Sequence, residues 1–455
     1  MATLAYSNTA LAYSQLASVL SYNQEPDTGI GKQCLKLVLL RYQNLILAKN
    51  KKKSSAVNSD STLIPSPSDL TLLTRNRRTI GVAAILSALM YLYLSSTYGW
   101  RQGALFVVGL AAGVVLYHAA FGFTAAWREV VNTGRGAGLR AQMVMLAVTV
   151  LVFTPLIAQG EVFGTNLRGS VAPLNVAVIC GAFMFGLGMQ LGGGCASGTL
   201  FTAGGGNVRM LITLAGFILG SLIGTWQWPM WQGVPGFAPV SLAQNFGVIG
   251  GILISLALLA AVYYATVMWE RRQHGDVVNE PEGDKQFSWL HGPWPLIAGA
   301  LALVLVQLST LLLAGRPWGV TAAFALWGAK LAGLAGLDVT TWAYWQRPGS
   351  LSALNESVFN DITSVMNIGI MLGALMAAGL AYKFSLKFKL PMGAILASVL
   401  GGLLLGYGAR IAFGCNIGAY FSGIGSTSLH GWLWFAAAFA GSTLGTRIRP
   451  WFGLS

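Results

Sequence analysis

Two cysteines stand in near-copies of one glycine-rich block, GLGMQLGGGCASG at 186–198 and GYGARIAFGCNIG at 406–418. A thiol is small, polarisable and a weak hydrogen-bond donor, so Cys195 and Cys415 can meet an anion without holding it tightly. The glycines around them, Gly194 and Gly198 in one block and Gly414 and Gly418 in the other, unwind a helix at little cost. The spacing predicts a short helix over 196–203, a second break at Gly204–Gly206, and Asn207 as the N-cap of the next span. In the copy it predicts Asn416 after the thiol, a short helix to about 421, a break at Gly423 and Gly425, and Ser428 as N-cap. Short helices starting at such breaks aim N–H donors and positive dipole ends at the thiols, which suits an anion. The remaining cysteines, Cys34 and Cys180, read as small apolar residues. There is no CxxC pair and no His at metal-ligand spacing from a Cys, so a zinc site or disulfide framework is not expected, and nothing calls for a cofactor.

Several other residues accompany the pair. Arg410 lies about one and a half turns before Cys415, with Gln190 at its repeat position, and either attracts anions or caps carbonyls of a neighbouring helix. Lys330, in FALWGAKLAG, is either a pathway charge or a side chain snorkelling to the nearer surface. Thr124 and Thr321 recur in FGFTAAW (121–127) and WGVTAAF (318–324), where they line a path or pack helices. His118 and His430 fall near the ends of apolar runs and read as interfacial.

The elements that position these residues are membrane helices. Of 455 residues, 55% are hydrophobic and 9% charged, against roughly 25% charged in soluble domains. The net charge of +14 does not indicate nucleic acid, because the basic residues sit in short loops and form no patch. Apolar runs predict spans near 79–98, 102–118, 140–159, 174–192, 208–226, 244–268, 294–314, 320–336, 364–382, 392–411 and 429–446. Clusters at Arg75, Arg77 and Arg78, at Arg128, Arg135 and Arg140, at Arg271, Arg272 and Lys285, at Lys383, Lys387 and Lys389, and at Arg447 and Arg449 fall on one side of the membrane if 320–336 does not cross fully. Both termini are then cytoplasmic. Residues 1–76 are polar, with a basic run at 49–53 and a stretch at 34–48 too short and charged to span; they read as a disordered cytoplasmic extension without a signal peptide.

The cysteine blocks, the TAA blocks and the pair GSLIGT (220–225) and GSTLGT (441–446) recur in the same order, so the chain is an internal repeat. The expected division is 1–76 as extension, 77–285 as first repeat with a basic loop, and 286–455 as second repeat. The span leading to Cys195 runs opposite to that leading to Cys415, so the repeats are inverted, a plan of secondary transporters whose sites lie at the repeat interface. The fold class expected is an all-α integral membrane protein with about nine to eleven helices plus short half-helices.

The GGGCASG and FGCNIG blocks, FTAAWRE (123–129) and SLHGW (428–432) resemble the YeeE/YedE family of sulfur-transport membrane proteins over roughly 100–450. That resemblance implies an hourglass of inverted repeats in the inner membrane, with half-helices meeting at its centre. It implies transport of thiosulfate or a related sulfur anion through three cysteines in line, and a cytoplasmic sulfur carrier of the TusA type as partner. Cys195 and Cys415 take two of the three places. Gly122 stands where the third thiol is expected, which puts thiosulfate itself in question and leaves sulfite, sulfide or a selenium analogue open.

Two other classes compete. A membrane sulfur transferase working through a cysteine persulfide needs a base or cation beside an accessible thiol, and no Asp, Glu or His lies within a turn or two of Cys195. A non-transporting membrane subunit would tolerate loss of both cysteines.

Overall fold

The computed structural model describes residues 67–279, 288–386 and 388–454. Most of the segment assigned to the extension, with Cys34 and the stretch 34–48, lies outside the described residues, as do Lys285 and Lys387. The first helix of the described residues, α1 (Pro67–Thr97), starts inside that segment, and its apolar, membrane-length part is Asn76–Thr97. The first residue of α1 is proline, whose fixed φ suits an opening helical position.

The chain continues as α2 (Trp100–Ala119), α3 (Phe123–Thr133), α4 (Ala137–Gln159), α5 (Val176–Gly192), α6 (Ala196–Gly204), α7 (Val208–Trp226) and α8 (Leu242–His274). After these come α9 (Leu296–Ala314), α10 (Thr321–Leu334), α11 (Ser350–Asn355), α12 (Ile362–Leu380) and α13 (Met392–Ile411). A π-helix (Asn416–Phe421), α14 (Ser422–Gly425) and α15 (Leu429–Ile448) close the fold. Strands among the described residues are confined to two two-residue ladders, Glu161–Val162 with Thr165–Asn166 and Leu174–Asn175 with Gly236–Phe237.

Nine stretches of the described residues are long and apolar enough to cross a bilayer. Three of them, Trp100–Thr133, Val176–Gly204 and Met392–Gly425, run through a break into a short helix. The chain is an all-α multi-pass membrane protein. The run at 320–336, named among the spans, meets the condition set by the basic loops: α10 has 14 residues and reaches about 21 Å against a hydrocarbon core of about 30 Å, too short to cross. The eleven-residue α3 is a half-helix too, and no apolar run announces it.

The packing carries the repeat. Exchange α2 with α9, α3 with α10, α4 with α12, α5 with α13, α6 with the π-helix and α14, and α7 with α15. Each major pairing then maps onto another: α5 against α15 becomes α13 against α7, α2 against α12 becomes α9 against α4, and α3 against α15 becomes α10 against α7. The pairings α5 against α13 and α2 against α9 map onto themselves and mark the pseudo-two-fold axis. From α2 to α9 there are five successive crossings, an odd number, so equivalent helices run in opposite directions and the repeat is inverted. At the α5–α13 crossing, a Cβ at Gly188 would sit 2.8 Å from the Gly401 carbonyl oxygen and one at Gly181 2.7 Å from that of Gly408. Only glycine lets these backbones approach so closely.

Helices α1 and α8 lie outside the repeat. α8 leaves Phe246, Ile249, Leu253 and Tyr264 exposed, as a lipid-facing helix does. Its far end is tied to α4 by Glu270, which is fully buried. Glu270 accepts from Arg140 at 2.6 Å, from Arg135 at 3.1 Å, and from the Gly136 and Val278 amides at 3.0 Å each. Arg135 and Arg140 are therefore more than topology signals: they are the partners of a buried carboxylate, whose isolation would be strongly unfavourable.

Candidate functional site

Both repeat cysteines are buried in one hydrophobic core, Cys195 at 2% exposure and Cys415 at 1%. The first break forms because α5 ends with Gly193 in the left-handed region (φ 89°), which turns the chain off the helix axis. Cys195 then takes the N-cap position of α6, where its sulfur accepts from the Gly198 amide at 3.4 Å and lies 3.5 Å from the Ser197 hydroxyl. The carbonyls released at the end of α5 find partners: Gln190 with Arg449 (2.6 Å), Leu191 with Arg209 (2.6 Å) and Gly192 with Thr213 (3.0 Å). Non-helical backbone at membrane depth persists only when its polar groups are satisfied in this way.

The second break is built differently. Phe413, a non-glycine residue, occupies the left-handed region (φ 58°), and Gly414 comes next at φ 147°. Cys415 stands at the N-cap position of a π-helix without a side-chain cap, where the sequence pattern implies an ordinary short helix. The predicted interruption at Gly423 and Gly425 is corrected as well. Both belong to the α14 turn, and the chain turns instead at Ser426–Thr427, with Thr427 at φ 54°. The amides of Gly418, Ile417 and, from the TAA block of the same repeat, Val320 stand close to the Cys415 sulfur. Val320 immediately precedes α10, and three side chains hold this stretch. Gln307 of α9 accepts from the Trp318 amide (2.8 Å), Asn367 of α12 donates to the Val320 carbonyl (2.9 Å), and Ser422 donates to the Trp318 carbonyl (3.2 Å).

Several buried polar atoms near the thiols make no hydrogen bond to protein. They include both side-chain atoms of Asn416, the Thr124 hydroxyl and the Tyr420 hydroxyl. Asn416 and Tyr420 are fully buried, and Tyr420 sits among Phe123, Trp127, Phe435 and Trp434. An unpaired buried amide costs about 1–3 kcal/mol. Asn416 stands directly after Cys415, which makes its unpartnered amide a candidate contact for a ligand.

Thr124 and Thr321 lie in the first turns of α3 and α10, both buried, and Gly122 precedes α3 in ordinary extended geometry. Gly418 packs on Gly319, the repeat partner of Gly122. Arg410 does not reach carbonyls of a neighbouring helix. Its guanidinium donates to the Tyr344 hydroxyl at 2.7 Å, its Nε makes no hydrogen bond to protein, and its stem fits over Gly224. Lys330 is held away from the thiols by the carbonyls of Leu354 (2.8 Å) and Glu356 (2.6 Å), so it closes the end of α11. Of the two histidines, His430 is fully buried with Nδ1 2.7 Å from Ser428, and His118, in the last turn of α2, is buried against Trp294. Asn207 and Ser428 stand at the predicted N-cap positions, but neither side chain caps its helix.

The model of the family described as sulphur transport matches residues 118–444, which take in both breaks and both TAA blocks. The chain belongs to the sulphur transport family. Among curated members, the probable transporter YedE of Escherichia coli is 32% identical over 35% of this chain and 39% of that protein. The chain thus covers about two fifths of the YedE relatives it matches. The thiosulfate transporter TsuA of Spirochaeta thermophila is 27% identical over 72% of this chain and 92% of its own length. TsuA of Escherichia coli is 24% identical over 76% and 92%. The repeated blocks of the sequence point to Cys195, Cys415 and Asn416. Gln307, Asn367 and the Val320 amide carry no such signal and join the site through packing, although Val320 lies inside the repeated TAA block.

Proposed function

We propose that this protein is an inner-membrane transporter of a small sulfur-containing anion, thiosulfate or a close relative, with the 20-residue α15 as a tenth crossing and both termini cytoplasmic. The anion passes between the two repeats by way of Cys195 and Cys415. The observation that carries this reading is the pair of buried thiols, each at the start of a short helix and facing backbone N–H groups, on opposite members of an inverted repeat. Oriented amides offset part of the anion's desolvation. Thiols add weak, polarisable donors, so that no point binds tightly enough to stop exit. The likeness to two thiosulfate transporters over nearly their whole length supports the substrate class. The third thiol of the family pattern is replaced by Gly122, so the relay here has two members. A sulfur carrier of the TusA type is the expected cytoplasmic partner.

An enzyme working through a persulfide is disfavoured, because neither thiol has a carboxylate or imidazole among its hydrogen-bond partners. The test is growth on thiosulfate as sole sulfur source, in cells lacking their own sulfate and thiosulfate importers. Growth with the intact chain, lost in Cys195→Ala and Cys415→Ala at equal protein levels, is the expected result. No growth with the intact chain rejects thiosulfate and directs the search to sulfite, sulfide and selenium species.

A further inference from the structure

Beside the thiol site is a second group of cations that the thiol pathway does not use. Tyr344, in the loop between α10 and α11, is flanked by two guanidinium groups: Arg347 lies 3.8 Å from its ring centre and Arg410 5.1 Å. The two guanidinium carbons are therefore no more than about 9 Å apart, the limit those two distances set. Arg347 also lies 5.1 Å from the ring centre of Trp228. Like charges this near repel unless an anion joins them, and among the described residues neither has a carboxylate within ion-pair range.

The nearby acids are engaged elsewhere. Asp338 bonds to Thr340, Glu356 to Ser352 and Asn360, and Asp361 to Ser364. Arg347 satisfies one N–H on the Tyr344 carbonyl (3.0 Å) and Arg410 one on the Tyr344 hydroxyl (2.7 Å), which leaves most of both forks free. Arg410 is only 8% exposed, yet its Nε is unpartnered. The group is coupled to the thiols through Phe413, which packs on Trp228 at 5.8 Å and on the core that contains both cysteines. Arg410 lies in the last turn of α13, and Cys415 follows it five residues later across the break.

We infer that Arg347 and Arg410, held around Tyr344, form a loading site for the oxyanion end of the substrate, one step ahead of Cys415. Planar guanidinium forks match the oxygens of a sulfonate-like group and do not match a bare sulfur. An anion with oxygens at one end and sulfur at the other would be held by its oxygens here and presented sulfur-first to the thiol. Sulfate, with oxygens only, would occupy this site without being carried onward. The inference rests on the proposed transport of a sulfur anion, but it has a readout of its own.

The experiment uses the purified full chain in detergent and in proteoliposomes. Thiosulfate and sulfate are each titrated as thermal stabilisers, and labelled thiosulfate uptake is followed over a range of concentrations. The expected result is stabilisation by both anions and competition of sulfate against uptake. Arg347→Gln should raise the half-saturating thiosulfate concentration roughly tenfold with maximal uptake within about twofold, since one charged hydrogen-bonding group is lost. Arg347→Lys, which keeps the charge but not the fork, should fall between, and it stands in if Arg347→Gln does not fold. Cys415→Ala should show the reverse pattern, with maximal uptake lost and sulfate stabilisation retained. Unchanged half-saturation and unchanged stabilisation in both Arg347 variants would overturn the loading site. Stabilisation by sulfate that depends on Arg347, in a chain carrying no thiosulfate, would instead keep the loading site and reject the transport reading.

Discussion

The two breaks carry the same residue at the same repeat position and are built by different means. At the first, glycine makes the left-handed turn, the freed carbonyls are capped by Arg449, Arg209 and Thr213, and an ordinary α-helix begins at the thiol. At the second, Phe413 is held in the left-handed region and a π-helix begins at the thiol, with an amide side chain left unpaired beside it. The equivalent side chains diverge in the same way. Gln190 is tied into the scaffold by the Thr124 carbonyl and Ser442, whereas Arg410 is turned to Tyr344. Strained backbone, π-helix and unsatisfied polar atoms accumulate where function constrains a structure. On the proposed pathway, the first break is the brace that presents a thiol and the second the place where the substrate would be handled.

The largest effect that tests this division is loss of either thiol. Cys195→Ala and Cys415→Ala should each reduce thiosulfate uptake by more than roughly tenfold, because each removes a donor at a step no other side chain repeats. Uptake in proteoliposomes, normalised to folded protein, is the measurement. Normal uptake in Cys195→Ala would mean that the second break works alone, and the comparison would become one of site against scaffold.

Next in size is Asn416, which stands at the repeat position of Ala196. Asn416→Ala should lower uptake by roughly tenfold and leave thermal stability unchanged or slightly higher, because the amide is buried without a protein partner and its removal relieves about 1 kcal/mol or more of desolvation. A fall in the unfolding temperature with unchanged uptake would identify Asn416 as part of the scaffold and erase the distinction between the breaks.

A smaller effect concerns the strained turn itself. In most helical surroundings alanine is more stable than glycine by about 1 kcal/mol. At position 413 the order should invert, with Phe413→Gly more stable than Phe413→Ala by about 1 kcal/mol, because only glycine enters the left-handed region freely. Both variants lose the packing on Trp228, so their difference isolates the backbone. Thermal unfolding of the two variants side by side decides it, and the usual order would show that the second break is not strained.

Legibility in the sequence depends on whether a feature repeats. The membrane spans, the half-crossing at 320–336 and the short helix after Cys195 come from apolar periodicity and glycine spacing, which act locally. The π-helix does not, because FGCNIG differs from GGGCASG only in side chains whose effect depends on neighbours far along the chain. Arg410 and Lys330 look alike as isolated cations in apolar runs. Their partners, Tyr344 for one and two backbone carbonyls for the other, come from the loop at 336–362, which no local pattern positions. His430 misleads for a related reason. It begins a helix, as an interfacial residue would, but that helix starts inside the protein, beside the α14 turn.

The smallest effect is at Gly122. Its repeat partner is Gly319, so on this axis the two halves agree, and both positions have room: a Cβ at Gly122 would meet nothing nearer than 3.7 Å, and one at Gly319 nothing within 4 Å. The backbone at Gly122 is extended (φ −113°), a conformation any residue adopts. Gly122→Cys should therefore change stability by less than about 0.5 kcal/mol, as a substitution without clash or strain does. It places a third thiol at the start of α3, one residue before Phe123, whose ring packs on Tyr420. Uptake of thiosulfate should then be retained or raised, and a thiol-reactive probe in the membrane should label this variant even when Cys34, Cys180, Cys195 and Cys415 are all alanine. Loss of uptake without loss of folding would show that the open space at Gly122 is itself used by the passing anion. The two-member relay would then be a change of substrate geometry, and not a three-member relay with one part removed.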